Sequence, residues 1–318
     1  METVLVTGAA GFIGSNLVPA LLKEGYRVVG VDNFDDTYDP AFKEEHVSAF
    51  LNDPNFTLVR ADLRDKAAIA ELFAKEAPTR VVHLAAKADT RAAVNDPYPY
   101  VDNNIVATVN LLEVIKATPS VLNTVLASSS SVYGNDPQVP WSEDAAADRP
   151  LSQYGVTKRA TELLAHAYHH NFGLPITCLR YFNAYGEHNR PNMVPYKWAV
   201  ALLRGEEIEL SGGGTRERDY TYVGDTVDAT IKALKKPLGF EIINVGNNRP
   251  LSLNELLALF EKIIGVKAVV KTRESNKASV ERTYADTSKA KALLGWEPTT
   301  PAKEGFGRLV AWVRANRL

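Results

Sequence analysis

The segment that most constrains the fold is Thr7-Gly8-Ala9-Ala10-Gly11-Phe12-Ile13-Gly14, set between a β-rich run at Thr3–Thr7 and a helical pattern over Phe12–Glu24. Gly8, Gly11 and Gly14 permit a tight strand-to-helix turn, and the N–H groups around Phe12 and Ile13 then face a pyrophosphate at the helix N-terminus. Plain turns and close helix packing also use glycine, so the flanking strand and helix carry the inference. A second strand, Arg27–Val31, is followed by Asp32, 18 residues after Gly14, where a carboxylate accepts hydrogen bonds from a ribose diol. A bound dinucleotide is the expectation. Asp32 would repel a 2′-phosphate, and Asn33 follows it rather than an arginine, so NAD is expected over NADP, with no metal.

Further strands are predicted at Phe56–Val59, Arg80–Leu84, Asn123–Ala127 and Ile176–Tyr181, with helices at Lys66–Ala74, Tyr100–Lys116 and Tyr154–Asn171 between them. Such alternation predicts an α/β fold: a doubly wound parallel sheet of the Rossmann type covered on both faces. After about residue 182 the alternation weakens, and Gly, Pro and polar residues thicken at Gly186–Pro195 and Gly212–Gly214. Helices resume at Val194–Leu203, Asp225–Leu234, Leu253–Ile264 and Lys303–Ala315. The division expected is an NAD-binding domain over 1–182 and a smaller C-terminal substrate-binding lobe over 183–318, some segments of which return to the first. At 318 residues with 45% apolar and 23% charged side chains, the chain has ample core. Its 36 Lys and Arg nearly balance 38 Asp and Glu, which gives no electrostatic reason to expect nucleic-acid or membrane-surface binding. The single Cys178, the lack of a membrane-length apolar run and the opening directly into a strand point to a cytoplasmic protein.

Two later strand ends fit the same cofactor. Asp62 and Leu63 follow the third strand, at the adenine edge. Leu84, Ala85, Ala86 and Lys87 follow the fourth, where small side chains allow close approach or simply tight packing. Tyr154 and Lys158 share one face of a helix at i and i+4. A nearby ammonium stabilises phenolate and brings a phenol with a pKa of about 10 toward neutrality, which makes it a usable general acid or base. The run Ala127-Ser128-Ser129-Ser130-Ser131-Val132-Tyr133-Gly134 ends the fifth strand, where a hydroxyl can bond a reacting alcohol. The run alone does not distinguish one serine from another, or a working hydroxyl from a polar loop.

The glycine turn, Asp32-Asn33, His83-Leu-Ala-Ala, Asn103-Asn104, the serine run, Tyr154 with Lys158, Arg180-Tyr-Phe-Asn183, Arg218-Asp-Tyr220 and Tyr284-Ala-Asp286 together resemble the extended short-chain dehydrogenase/reductase family, specifically its nucleotide-sugar epimerases that keep NAD bound. The resemblance implies a reversible inversion at C4 of a UDP-hexose through a 4-keto sugar. It places the catalytic hydroxyl at Ser129, a cofactor-binding asparagine at Asn103, and Tyr181 and Phe182 beside the nicotinamide. Ser130, Asn183, Arg190, Asn192, Met193, Arg218 and Arg282 become candidates for holding the UDP-sugar. Relatives that dehydrate or decarboxylate carry acids where this chain has Ser130 and Ser131, so dehydration is not expected and epimerisation is expected over decarboxylation. Arg190-Pro-Asn-Met193 and Val31–Asp39 resemble the branch acting on UDP-glucuronate, whereas Asn-Met-Val-Pro-Tyr is also similar to the neutral-sugar branch. UDP-glucuronate and UDP-glucose or N-acetylated sugars therefore stand side by side. The family's Pro-Gly-Asp is replaced by Asn276-Lys277-Ala278-Ser279, and Arg273 or Lys277 is the expected substitute contact. The resemblance also implies a homodimer pairing the helices at Tyr100–Lys116 and Tyr154–Asn171. Other classes on this fold are a UDP-sugar dehydrogenase or decarboxylase and a non-catalytic NAD-binding regulator.

Overall fold

Continuous runs of buried Val, Leu and Ile suit strands covered on both faces, and β1 (Thr3–Thr7) and β5 (Asn123–Ser129) are buried at every position. They belong to a seven-stranded sheet with β2 (Arg27–Asp32), β3 (Phe56–Arg60), β4 (Arg80–His83), β6 (Ile176–Tyr181) and β9 (Phe240–Val245), in the order β3-β2-β1-β4-β5-β6-β9. Every pairing in it is parallel. The computed structural model describes residues 1–274 and 280–318. In register, Thr7 lies opposite both Val31 and His83, and Ser129 lies opposite Tyr181. The C-terminal ends of these strands therefore form one rim. The chain leaves β1 to one side for β2 and to the other for β4, and that reversal opens a ligand crevice at the rim.

On one face, α1 (Phe12–Lys23) contributes Leu17, Val18 and Leu21 to a core shared with Val227 and Ile231. On the other, Leu72 and Phe73 of α3 (Lys66–Glu76), Leu111, Leu112 and Ile115 of α6 (Ala107–Lys116) and Ala165 of α7 (Gln153–Phe172) pack together. Between β2 and β3, α2 (Pro40–Ser48) was absent from the sequence reading, although Asp39-Pro40 is a helix-start pair and the Asp39 carboxylate accepts from the Ala41 N–H. Past β4, α4 (Thr90–Asn95) is shorter still. The single helix expected over 100–116 is interrupted. After α5 (Tyr98–Tyr100), a π-helical stretch spans Val101–Val106 before α6. In it, Asn104 donates to the Lys87 carbonyl and to Thr157 Oγ1 and accepts from the Lys87 N–H, so its side chain stitches the wide turn to the loop after β4.

Past β6, α8 (Val194–Arg204) packs with α10 (Leu253–Ile264) and α12 (Ala302–Asn316). A parallel pair, β7 (Ile208–Ser211) with β11 (Val270–Arg273), and an antiparallel pair, β8 (Glu217–Arg218) with β10 (Leu251–Ser252), stand beside them. Between these segments, α9 (Val223–Lys235) and β9 return to the main sheet, and α11 (Ser288–Leu294) packs on both. No helix among the described residues is long and apolar enough to cross a membrane.

Candidate active site

A cavity of about 530 Å³ runs along the rim. At one end Gly8 holds φ at +70°, and a Cβ on Gly14 would sit 2.1 Å from the Gly8 carbonyl oxygen, so this turn closes only with glycine at both places. The helix behind it begins at Gly11 with no side-chain cap and no acid in its first turn, which leaves its first N–H groups facing the cavity. Asp32 lines the same end, accepts from the Ala10 and Phe34 N–H groups, and lies 3.6 Å from the Lys43 ammonium on α2. Uncapped amides beside a buried carboxylate fit a pyrophosphate and its neighbouring ribose, so the residues present suit a dinucleotide.

Asn33, Asp62, Leu63, Leu84, Ala85, Ala86, Lys87, Asn103 and Tyr181 also line the cavity. Asn33 donates to Asp62, and the Arg64 guanidinium bonded to Asp62 holds that carboxylate well below its usual range. Lys87 spans the opening to Asp35 at 2.9 Å and Thr37 at 3.0 Å. Beneath them His83 is buried, and burial, with the nearby Lys158 charge, pushes it down to about 3, so it is neutral. The Thr108 hydroxyl is spent on the Asn104 carbonyl, so His83 Nε2–H donates to Thr108 and Nδ1 accepts from Thr7.

Midway along, Ser129, Tyr154 and Lys158 converge on the cavity. Burial pushes the Tyr154 phenol up, opposed by its hydrogen bond with Ser129 and the positive charge of Arg190. The Lys158 ammonium donates to the Ala127 carbonyl at 2.7 Å, and it is itself pushed down to about 8, chiefly by burial. The serine run is also resolved into roles. Ser129 meets Tyr154, Ser128 donates to Glu162 at 2.5 Å, and Ser130 and Ser131 stay on the cavity wall.

The far end holds Asn183, Arg190, Asn192, Met193, Arg216, Arg218 and Arg273. Arg190 donates to the Ala88 carbonyl, and Asn192 donates to Asp89 at 2.8 Å, tying this loop to the one after β4. Arg218 donates to the carbonyls of Glu217 and Val280. Arg282 is not brought in: it points outward, half-exposed, in an ion pair with Glu217. Phe182 is also absent from the wall, being fully buried against Tyr133 and Trp141. Lys277 and its neighbours Asn276, Ala278 and Ser279 lie outside the described residues. Sequence reasoning did not single out Lys43 or Asp89, and it met Asp35 and Thr37 only as members of the Val31–Asp39 stretch; Lys43 had a local signal in the helix start at Asp39-Pro40.

The comparisons agree with this geometry. A profile described as "NAD dependent epimerase/dehydratase family" matches residues 4–246. A UDP-glucuronate 4-epimerase of Thermodesulfobacterium geofontis is 43% identical over 99% of this chain and 97% of its own. A crystal structure of UDP-glucuronic acid 4-epimerase from Bacillus cereus, in complex with UDP-glucuronic acid and NAD, superposes with a TM-score of 0.94 at 36% identity, covering 99% of both chains. A UDP-glucose 4-epimerase from Thermotoga maritima with UDP-glucose gives 0.91 at 32% identity, again over 99% of both. With the glycine turn, the Ser129–Tyr154–Lys158 centre and a family match across most of its length, the chain belongs to the NAD-dependent epimerase/dehydratase family.

Proposed function

We propose that this protein is an NAD-dependent UDP-sugar 4-epimerase whose substrate is UDP-glucuronate. The observation that carries the choice of sugar is Arg190, a guanidinium on the cavity wall close enough for its charge to be felt at the Tyr154 phenol. A carboxylate on the sugar brings a negative charge into this partly desolvated space and needs such a cation. The resemblance to UDP-glucuronate 4-epimerases along the whole chain supports the same reading. When bound, NAD supplies the acceptor and donor of the C4 hydride. As a phenolate, the form that the neighbouring Lys158 ammonium favours, Tyr154 takes the O4 proton as C4 is oxidised and returns it after the 4-keto sugar has turned over. Ser129 shares the hydrogen bond to O4, and Lys158 holds its positive charge beneath both. Because hydride returns to the opposite face, the sugar leaves inverted with no net redox change.

Residues 1–182 then serve mainly the cofactor and 183–318 mainly the UDP-sugar. Val106, Val156 and Leu163 are exposed on the packed pair α6 and α7 and its approach, which suits a homodimer. Light scattering at the mass of one chain would exclude that assembly. The decisive assay is incubation with separate UDP-sugars and resolution of the products. Conversion of UDP-glucuronate to its C4 epimer is the expected result. Turnover of UDP-glucose alone would reject the acidic-sugar reading, and net NADH release would make the protein a dehydrogenase.

A further inference from the structure

Behind the Ser129–Tyr154–Lys158 centre lies a buried ionic cluster that the reaction does not touch. Glu162 stands one helical turn after Lys158 on α7 and is fully buried. One of its oxygens accepts from Ser128 Oγ at 2.5 Å and Arg180 Nε at 2.8 Å, and the other from Arg180 Nη2 at 2.9 Å and Arg159 Nη1 at 3.0 Å. Arg180 on β6 lies over the Tyr133 ring, and Tyr133 in turn donates to Asn244 on β9. The cluster thus joins β5, β6, β9 and α7 around one carboxylate. Ser128, which it grips, is flanked by Ala127, whose carbonyl takes the Lys158 ammonium, and by Ser129.

We propose that Glu162, braced by Arg180, is a positioning residue: it is the counter-ion that keeps buried Lys158 charged, and through Ser128 it fixes the strand end that presents Ser129. The inference rests on the epimerase reading, in which Lys158 works as an ammonium. The groups facing Lys158 leave few alternatives. Its shift to about 8 comes chiefly from burial and is opposed by Cys178 on β6 and by Glu162. Burial pushes the Cys178 thiol far up, so it carries no charge near neutrality. His83 on β4 is neutral, and burial pushes the Tyr154 phenol up. Arg159 and Arg180 are paired to Glu162 itself. Apart from the phenolate that Tyr154 becomes in turnover, Glu162 is therefore the one negative charge, among the described residues bearing on Lys158, that persists at working pH.

The test is the pH dependence of kcat/KM for 4-epimerisation. Glu162→Gln is expected to move the alkaline limb toward acid by roughly one pH unit, about tenfold in rate on that limb, as Lys158 loses its proton earlier. A folded, NAD-containing Glu162→Gln protein with an unmoved limb overturns the proposal. If a lone buried guanidinium prevents folding, Glu162→Gln/Arg180→Met removes both charges. The limb should still move toward acid there, by less because a cation leaves with the carboxylate, and an unmoved limb again overturns the proposal. Ser128→Ala keeps the carboxylate but cuts its tie to β5, so kcat should fall several-fold with the limb in place. A limb displaced as far as in Glu162→Gln would show a merely structural cluster. Following the Lys158 side-chain nitrogen by NMR gives its titration without turnover, so failure of the epimerase reading and failure of this inference are separate results.

Discussion

Along the cofactor end, the cleft is bounded by strand ends whose register the sheet dictates, whereas along the sugar end it is bounded by loops that hold one another. Gly8, Asp32, Leu84 and Ser129 sit at or just past β1, β2, β4 and β5, and shifting one would shift a whole strand. Arg190, Asn192 and Asn183 are instead placed by side-chain contacts to Ala88, Asp89 and Thr283, and Arg218 by the carbonyls of Glu217 and Val280. The cofactor end is built from strand ends and the other end from side chains. In the epimerase reading, a change of sugar would then fall on the second without disturbing the first.

Tyr154→Phe should give the largest effect and acts between the two ends. The ring is kept and the ionisable oxygen lost, so turnover should fall by ~10²–10⁴-fold. Denatured protein should still release NAD. Near-normal epimerisation by the folded variant would mean that the proton is handled elsewhere.

Acid should attack the cofactor end. Burial pushes His46 and His83 each down to about 3, and His46 Nδ1 donates to Ala10 of the glycine turn. A histidine with a depressed folded pKa contributes stability that is complete above its unfolded value of about 6.5 and is lost as pH falls toward the folded one. Each should cost about 1.4 kcal/mol per pH unit over that window, or together roughly a hundredfold in the folding equilibrium. A denaturation midpoint that stays flat between pH 7 and 5 would contradict this.

Arg190→Ala probes the sugar end. A charge-assisted hydrogen bond contributes about 1.5–3 kcal/mol, so activity on UDP-glucuronate should drop roughly ten- to a hundredfold while UDP-glucose is little affected. Equal loss on both would assign Arg190 to holding the Ala88 loop. The smallest effect is expected of Lys87→Met, which removes the bridge to Asp35 and Thr37 over the cofactor. A partly exposed pair contributes ~0.2–1 kcal/mol, so NAD should dissociate up to about fivefold faster. An unchanged rate would show that the bridge holds nothing in.

Wherever a local rule acts alone, the sequence was sufficient. Six strands of the sheet could be read from apolar runs between turns, and the glycine turn and Tyr154/Lys158 from spacing. The misreadings occur where distant segments decide. The π-helical stretch at Val101–Val106 depends on Asn104 reaching Lys87 and Thr157. The direction of the Lys158 ammonium depends on the Ala127 carbonyl, 31 positions away. Phe182 and Arg282 lie near motif residues in the chain but face away from the cavity, because β6 alternates its sides and Glu217 draws Arg282 outward. Glu162 and Arg180 meet only once α7 lies on β6, so neither announces the other in the sequence.

The place of β9 has a consequence for how the chain is made. Six strands of the sheet are complete once Tyr181 has been synthesised, but the outer edge of β6 waits for Phe240–Val245. At ~5–20 residues per second, the 64 residues from Phe182 through Val245 keep that edge unpaired for roughly 3–13 seconds on the ribosome. During that interval Ile176–Tyr181 is a bare, apolar template for another nascent chain. Slowing synthesis between the two strands should therefore raise aggregation of a protein whose finished form is unchanged.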